Sequence, residues 1–529
     1  MRRPAPAPLR LHLRLHLRLI VFVLATGTLA ACSSDSAAVP AVTTPPPSPT
    51  MVTLPDTEAP VTGAASTSVA PPGEPLATTD TGTTDTATTD AGTTDTATTD
   101  AATAVATDTP TICDLGEHVD GDGVVQLTVW KFNDDRAGSM VQEGIDTFNA
   151  SQSGVHVELI DYDSPEQMID LWTKTDPSER PALMLLSEDS LGQMHALDGL
   201  LDVGDCLSAD GPLVPAIEAT FTLDGVLQAA PWGISTPLLY FDAAAFRNIG
   251  LDPTKPPTDE RQLRDALQIF VDTGSRPEGF TIEGGDNSGG SWYVEQWLAQ
   301  QGAPSLLPDN GRNGPATTVA WDTPAAIDGL VFLRGLLADR LATRVDDSSI
   351  TDLTDIGAKQ AAMAIHTSGS LGDVIDALDG NIYPGVELGV APLPGPGTGS
   401  LVGGTAWWAS SAASPAAQRA TWTLLRFLES PPQQAALAIE TGYVPVRVDS
   451  VDDPAFVAAA AEHAGLLVGF QQLMAVDPTA ARLTPVTPMW STLRPILGAA
   501  VRAVLFDGAD PTTTMRAAAA QANAILAAG

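Results

Sequence analysis

A low-complexity tract covers residues 33–110 and limits how much of this chain can fold. Ala, Thr, Pro, Ser and Asp make up almost all of it, and "TGTTDTATTD" at 81–90 recurs as "AGTTDTATTD" at 91–100 with a single change. Because the tract has almost no large apolar residue, it cannot bury enough surface to offset the entropy lost on ordering. We therefore expect residues 32–112 to be a disordered tether and residues 113–529 to fold.

Residues 1–31 have the composition of an export signal. Arginines without any acidic residue precede the apolar run "LIVFVLATGTLAA", which is shorter than the roughly 20 apolar residues that cross a membrane. The "LAAC" at 29–32 resembles a bacterial lipobox, which implies that Cys32 becomes the lipidated first residue of the mature protein. The resemblance predicts an exported protein anchored to the outer face of the bacterial cell membrane. An ordinary secretory signal with an incidental cysteine is the alternative.

Charge and cysteine content narrow the class of protein further. The chain has 64 acidic and 26 basic residues, a net charge of −38, which argues against nucleic-acid binding and favours a monomer. Three cysteines are too few for a disulfide scaffold or a cysteine-rich metal site. With Cys32 assigned to the lipid, an oxidising compartment favours a disulfide between Cys113 and Cys206. Two buried free thiols are the alternative.

The folded part alternates strand-like and helix-like segments. "VVQLTVWKF" at 124–132, "VHVELIDY" at 155–162 and "ALMLL" at 182–186 have the pattern of strands, and "AGSMVQEGIDTFNAS" between the first two has helical spacing. This order predicts an α/β protein with parallel sheets. Because the folded part exceeds what one hydrophobic core supports, we expect two lobes.

No catalytic or cofactor motif is present in the sequence. HExxH, G-x-S-x-G, a P-loop and a dinucleotide fingerprint are all missing, and "DGDG" at 120–123 lacks the acid that would complete a calcium loop. We expect no enzyme activity, no metal site and no cofactor. Histidines outside the signal lack a partner at ligand spacing and are expected on the surface or in the core: His118, His156, His195, His366 and His463.

Aromatic residues recur in glycine-rich segments. Trp292 follows "GGDNSGGS", Trp407 and Trp408 follow "LVGGTA", and Tyr443 lies in "ETGYVPVR". A carbohydrate or polyol site needs aromatic faces together with hydroxyl and carboxylate groups, and these segments supply them. A buried structural role is the alternative for each, and it is favoured for Trp407 and Trp408.

Four motifs occur in order along the folded part: "PWGISTPLLYFDAAAFRNIGLDPTKPP", "AAMAIHTSGSL", "GGTAWW" and "LLRFLESPPQQAALAIETGYVPVR". Together they resemble the extracellular solute-binding proteins of ABC importers in the large carbohydrate-binding family, and the glycerol-3-phosphate or glycerophosphodiester branch is the most similar. The resemblance implies a two-lobe periplasmic-binding-protein fold with each lobe a mainly parallel sheet, a ligand cleft at the hinge, a small-molecule solute and importer permease subunits as partners.

The resemblance also implies which residues bind the solute. The branch's binding positions correspond to Glu188, Ser235, Trp292, Gly404 and Tyr443, with Ser368 as a second-rank candidate.

Two positions depart from the branch. Pro165 replaces an aromatic residue, and neither Arg482 nor Arg494 aligns securely with the arginine that grips phosphate. Without a fixed guanidinium, a phosphate dianion loses its strongest donor. A sugar, a polyol or a glycerophosphodiester is therefore the expected solute.

The segment "PWGISTP" at 231–237 is predicted to be a loop that makes the first crossover between the lobes. We expect residues 113–232 and 352–402 in the first lobe, and residues 238–350 and 405–529 in the second. Trp292 and Tyr443 would then face Glu188 across the cleft from the second lobe.

These features predict a lipid-anchored receptor that closes on its solute by hinge motion and delivers it to a permease. A sensor or scavenger lipoprotein without a dedicated importer is one alternative. A secreted carbohydrate-active enzyme, in which Glu188 would need an acidic partner across the cleft, is the other.

Overall fold

The structure, a computed structural model, describes residues 111–114, 116–118, 123–132, 136–283, 289–345 and 350–528. These residues belong to one compact unit that spans Ala102–Gly529. The predicted signal, Cys32 and the tether up to residue 110 lie outside the described residues. Within the described residues, no helix is long and apolar enough to cross a membrane.

Strands occur throughout the described part of the chain. They are β1 (Val125–Lys131), β2 (Val155–Asp161), β3 (Leu183–Ser187), β4 (Leu200–Leu201), β5 (Thr222–Leu223), β6 (Val226–Leu227), β7 (Ala230–Ser235), β8 (Pro237–Asp242), β9 (Phe280–Glu283), β10 (Leu306–Leu307), β11 (Thr318–Val319), β12 (Ala342–Val345), β13 (Met363–Thr367), β14 (Leu388–Pro392) and β15 (Gly403–Ser410).

Helices alternate with these strands, and many of them start with proline at the first helical position, where no backbone N–H is needed. They are α1 (Arg136–Ser151), α2 (Pro165–Lys174), α3 (Leu191–His195), α4 (Pro215–Phe221), α5 (Ala243–Asn248), α6 (Glu260–Asp272), α7 (Gly289–Gln300), α8 (Pro324–Ala338), α9 (Thr351–Gly357), α10 (Leu371–Asp379), α11 (Pro415–Leu428), α12 (Pro431–Thr441), α13 (Pro454–Glu462), α14 (Leu466–Met474), α15 (Trp490–Leu505) and α16 (Pro511–Leu526).

Two mixed sheets form the centres of two hydrophobic cores. The first sheet has the order β2-β1-β3-β15-β4, with β7 also paired to β15, and β1, β2 and β3 are parallel as predicted. The second sheet has the order β12-β9-β13-β8-β14, in which β9 is parallel to both β12 and β13. The predicted α/β class with two sheets is confirmed, but the sheets are not mainly parallel as expected, because β15 pairs antiparallel with its neighbours and β8 pairs antiparallel with β13 and β14.

The crossover between the sheets lies at the predicted position. β7 belongs to the first sheet, β8 to the second, and only Thr236 separates them. The segment "PWGIS" is a buried strand, however, and the prediction of a loop there was wrong. Trp232 in this strand packs edge-on against Trp407, with 5.9 Å between ring centroids. Trp407 and Trp408 are buried, as the structural interpretation predicted.

The later lobe boundaries differ from the prediction. Residues 352–402 were expected in the first lobe, but β13 and β14 flank β8 in the second sheet. In the opposite direction, β15 and α11 belong with the first sheet and core, although residues 405–529 were expected in the second lobe. The prediction failed because apolar runs indicate that strands exist without specifying which strands pair.

A disulfide joins Cys113 to Cys206, with 5.7 Å between the Cα atoms. It holds the start of the described chain against the first core, where Ile112 is fully buried and its N–H donates to the carbonyl of Asp202 at 3.0 Å.

Replacing both cysteines with serine is expected to lower the free energy of unfolding by about 2 to 5 kcal/mol, because the bond closes a long loop in the unfolded chain. Urea unfolding of the oxidised protein and of the double variant measures this difference. Equal free energies would show that the bond does not constrain the unfolded state.

Candidate functional site

Glu188 and Gly404, two of the predicted binding residues, contact each other directly. Glu188 begins a 3-10 turn (Glu188–Ser190) at the carboxyl end of β3, and its Oε2 accepts a hydrogen bond from the Gly404 N–H at 3.0 Å. Gly404 has a φ of +118°, and a Cβ there would lie 2.0 Å from the Gly233 carbonyl oxygen. Only glycine therefore permits this approach of β15 to β7.

Arg494 brings three acidic residues together beside this turn. Its Nε lies 3.0 Å from Glu295 Oε1 and its Nη1 lies 3.4 Å from Asp189 Oδ2. Glu188 is also close enough for its charge to act on the guanidinium. Arg494 and Glu295 come from α15 and α7, which pack in the second core, whereas Asp189 follows a strand of the first sheet. The guanidinium thus joins the two sheets.

Burial and the neighbouring charges shift the pKa of Glu188. The pKa of Glu188 is raised to about 8, chiefly by burial and also by the neighbouring carboxylate of Asp189, while the charge of Arg494 opposes the rise. Burial alone would lower the pKa of Arg494, but Glu295, Asp189 and, when it is ionised, Glu188 raise it, so the guanidinium stays charged. At neutral pH, Glu188 is therefore mostly protonated, and the cluster contains one arginine with two carboxylates.

Trp292 lies on the element that carries Glu295. We predicted it in a loop, but α7 begins at Gly289, and Trp292 falls in its first turn with a partly exposed side chain. Glu295 is three residues later and therefore on the same face of the helix. Tyr293 and Trp297, on other faces, are buried in the second core. Trp292 therefore lies on the side of α7 that carries Glu295, the partner of Arg494.

Ser235 and Ser368 lie at the crossover. Ser235 ends β7 and pairs with Gly403. Ser368 is 1% exposed, and its Oγ accepts a hydrogen bond from the Thr236 N–H at 3.3 Å. Gln472 Nε2 lies 2.9 Å from Thr236 Oγ1, from the Pro237 carbonyl oxygen and from Ser400 Oγ. Ser368 therefore supports the crossover in this structure, whereas Ser235 borders the site.

Tyr443 lies between the two sheets and not in the second lobe as predicted. Gly442, in the left-handed conformation with a φ of +86°, ends α12 and turns the chain toward it. The ring packs over Gly233 of β7 and against Gly369, and it borders the first core. An antiparallel bridge between Ile234 and Val444 holds the loop in place.

The residues at the two positions that depart from the family pattern lie in different parts of the fold. Pro165 is the first residue of α2, where its missing N–H is harmless. Arg482 ends a 3-10 turn (Ala480–Arg482) and is partly exposed. Arg494, which the sequence did not securely match to the phosphate-binding arginine of the family branch, lies beside Glu188. Asp189 and Glu295 were missed from the sequence, although Glu295 stands one helical turn after the predicted Trp292.

Comparisons with known proteins agree with this architecture. Residues 143–465 match the family model described as bacterial extracellular solute-binding protein. The sn-glycerol-3-phosphate-binding periplasmic protein UgpB of Brucella abortus (strain 2308) is 24% identical over 421 residues, covering 76% of this chain and 93% of that protein. The same protein of Rhizobium meliloti (strain 1021) is 23% identical over 76% of this chain and 94% of its own length. These relatives are solute-binding proteins and not enzymes.

Solved structures share the fold. UgpB from Mycobacterium tuberculosis in complex with glycerophosphocholine superposes with a TM-score of 0.61 at 20% identity, covering 76% of this chain and 98% of that chain. The sugar-binding protein MalE from Xanthomonas citri gives a TM-score of 0.63 at 19% identity, with coverage of 76% and 98%. The cyclic alpha-maltosyl-1,6-maltose binding protein from Arthrobacter globiformis gives 0.60 at 22% identity, with coverage of 77% and 100%.

Proposed function

Because this chain belongs to the bacterial extracellular solute-binding proteins, we propose that it captures a sugar, a polyol or a glycerophosphodiester between its two sheets by hinge closure. It then delivers the solute to the permease of an ABC importer while Cys32 anchors it to the membrane. The observation that carries the proposal is the ion pair of Arg494, which also binds Glu295 in the second core, with Asp189 beside Glu188 at the end of a first-sheet strand.

The side chains of the cluster suit a ligand rich in hydroxyl groups. Glu188 accepts hydrogen bonds when ionised and donates one when protonated, and a hydrogen bond to a charged group contributes roughly 1.5 to 3 kcal/mol. The indole of Trp292 covers the carbon edge of a sugar or glycerol. If the solute carries a quaternary ammonium group, a cation over the indole contributes about 0.5 to 2 kcal/mol.

Charge at the cluster disfavours a phosphate dianion. Arg494 already pairs with Glu295 and Asp189, so its donors and its charge are shared between carboxylates. A dianion would compete for the guanidinium and would be repelled by the acidic residues. A phosphodiester carries one charge less, and a cationic head group would offset that charge. The solute is therefore a neutral polyol or a diester in preference to glycerol phosphate.

A ligand panel tests whether the protein is a binder. Thermal unfolding in the presence of sugars, polyols, glycerophosphodiesters and glycerol phosphate is expected to show an increase in melting temperature with one class. Chromatography should recover that ligand unchanged after incubation. Conversion of the ligand to products would support the enzyme alternative. If no ligand of the panel raises the melting temperature, the proposed solute classes are contradicted.

The raised pKa of Glu188 predicts a pH-dependent stability. An acid whose pKa is raised on folding binds its proton more tightly in the folded state, so its contribution is present below the ordinary pKa and is lost as the pH rises through about 8. Glu188→Gln, which cannot ionise, is therefore expected to gain roughly 2 to 4 kcal/mol over the native protein between pH 5 and pH 9. Urea unfolding of both proteins at both pH values measures the gain. A difference that does not vary with pH would contradict it.

A further inference from the structure

A second cluster of polar side chains lies in the second sheet, at the carboxyl ends of β9 and β13. Met363 and Ala364 pair with Phe280 and Thr281, and the same register places His366 beside Glu283, the last residue of β9. Asp352, in the first turn of α9, completes the group. One nitrogen or oxygen atom from each of Glu283, Asp352 and His366 lies within 4.8 Å of the others.

The two ring nitrogens of His366 face different partners. Nδ1 lies 3.1 Å from Asp352 Oδ2, and Nε2 lies 3.0 Å from Ser370 Oγ. A histidine that ligates a metal through one nitrogen usually donates the other N–H to an oxygen that fixes the ring. Nδ1 faces Asp352, and the tautomer that donates Nε2–H to Ser370 gives the imidazole this orientation.

Burial makes a cation at this position favourable. The side chains of Asp352 and His366 are 1% and 8% exposed. A carboxylate removed from water is costly unless hydrogen bonds or an opposite charge compensate it. A divalent cation between Asp352 and Glu283 would balance two negative charges at once.

We propose that Glu283, Asp352 and His366 bind a divalent transition metal, with Zn²⁺ preferred. One imidazole nitrogen and two carboxylate oxygens suit zinc, with water in a fourth position. Calcium needs six to eight oxygen ligands and fits this set poorly. Two residues after His366, Ser368 accepts the hydrogen bond from Thr236 at the crossover. A bound metal would therefore fix the carboxyl end of β13. Ser368, which follows this strand, would in turn hold Thr236 at the crossover. This proposal does not depend on the identity of the solute.

Zinc titration of the purified, chelator-treated protein tests the site. Calorimetry with ZnCl₂ is expected to show one site, with Ca²⁺ binding at least tenfold more weakly. Glu283→Gln and Asp352→Asn should each weaken zinc binding at least tenfold, and Ser370→Ala should weaken it by about tenfold because the imidazole loses its hydrogen bond to Ser370. Thermal unfolding should shift upward with zinc in the native protein, and at the same zinc concentration the shift should be smaller in Glu283→Gln and Asp352→Asn.

His463 provides the matched control. Its Nε2 lies 3.5 Å from Asp379 Oδ2 at a more exposed position, so His463→Ala should bind zinc with native affinity. Because Asp352 is buried, Asp352→Asn can fail to fold. Glu283 is partly exposed, so Glu283→Gln is expected to fold and still tests the site. No zinc binding by the native protein, native affinity in Glu283→Gln, or loss of binding in His463→Ala alone would each overturn the proposal.

Discussion

Replacing Asp189 with asparagine and Glu295 with glutamine together is expected to raise the affinity for glycerol phosphate by roughly tenfold or more. Both substitutions keep a hydrogen-bonding side chain beside Arg494 but remove its two carboxylate partners. The guanidinium then has charge and donors available for phosphate, and the repulsion of a dianion falls. Calorimetric titration with glycerol phosphate, for the native protein and the double variant, measures the change.

A distant arginine pair serves as the control for this double variant. Arg447 Nε lies 3.1 Å from Asp449 Oδ1, and the Arg447 side chain is as buried as that of Glu295. Asp449→Asn should therefore leave the affinity for glycerol phosphate unchanged. If the double variant binds glycerol phosphate no better than the native protein, Arg494 does not face the solute and the proposed basis of specificity is wrong.

Trp292→Ala is expected to weaken solute binding at least tenfold and to leave the unliganded melting temperature nearly unchanged. The indole is partly exposed on the face of α7 that carries Glu295, so its loss removes contact with the solute more than contact with the core. Tenfold corresponds to about 1.4 kcal/mol, which a single indole contact supplies. Calorimetry with the stabilising ligand and thermal unfolding without it measure the two effects.

Trp297 on the same helix is the matched control. It is 2% exposed, and its Nε1–H donates to Glu260 Oε1 at 2.6 Å. Trp297→Ala should lower the free energy of unfolding by about 3 to 5 kcal/mol, as other large core truncations do. If Trp292→Ala behaves like this control and spares the affinity, Trp292 has a structural role.

Local features were predicted well from the sequence. Apolar patterns within short segments indicate the first three strands and the crossover at 231–237. The Cys113–Cys206 bond was predictable because few cysteines are available to pair. The start of α7 was missed because Gly289 and Gly290 are typical of turns, and the apolar face that stabilises the helix begins only at Tyr293.

Long-range pairing was not predictable in the same way. β13 and β14 were assigned to the wrong lobe because both pair antiparallel with β8, and no residue in either strand specifies that partner. The residues of the candidate site could not be predicted together for the same reason. Asp189, Glu295 and Arg494 are far apart in the chain, and only the packing of α7 on α15 and of α15 against the turn after β3 brings them together.

The central claim is that the Glu188–Arg494 cluster binds a hydroxyl-rich solute and disfavours a phosphate dianion. Calorimetric titration of the native protein with glycerophosphocholine and with glycerol 3-phosphate, at low and high salt, tests it most directly. We predict one binding site, with the phosphodiester bound at least tenfold more tightly than the monoester. Tighter and strongly salt-dependent binding of glycerol 3-phosphate would contradict the account, because it would require a guanidinium that is free to pair with a dianion.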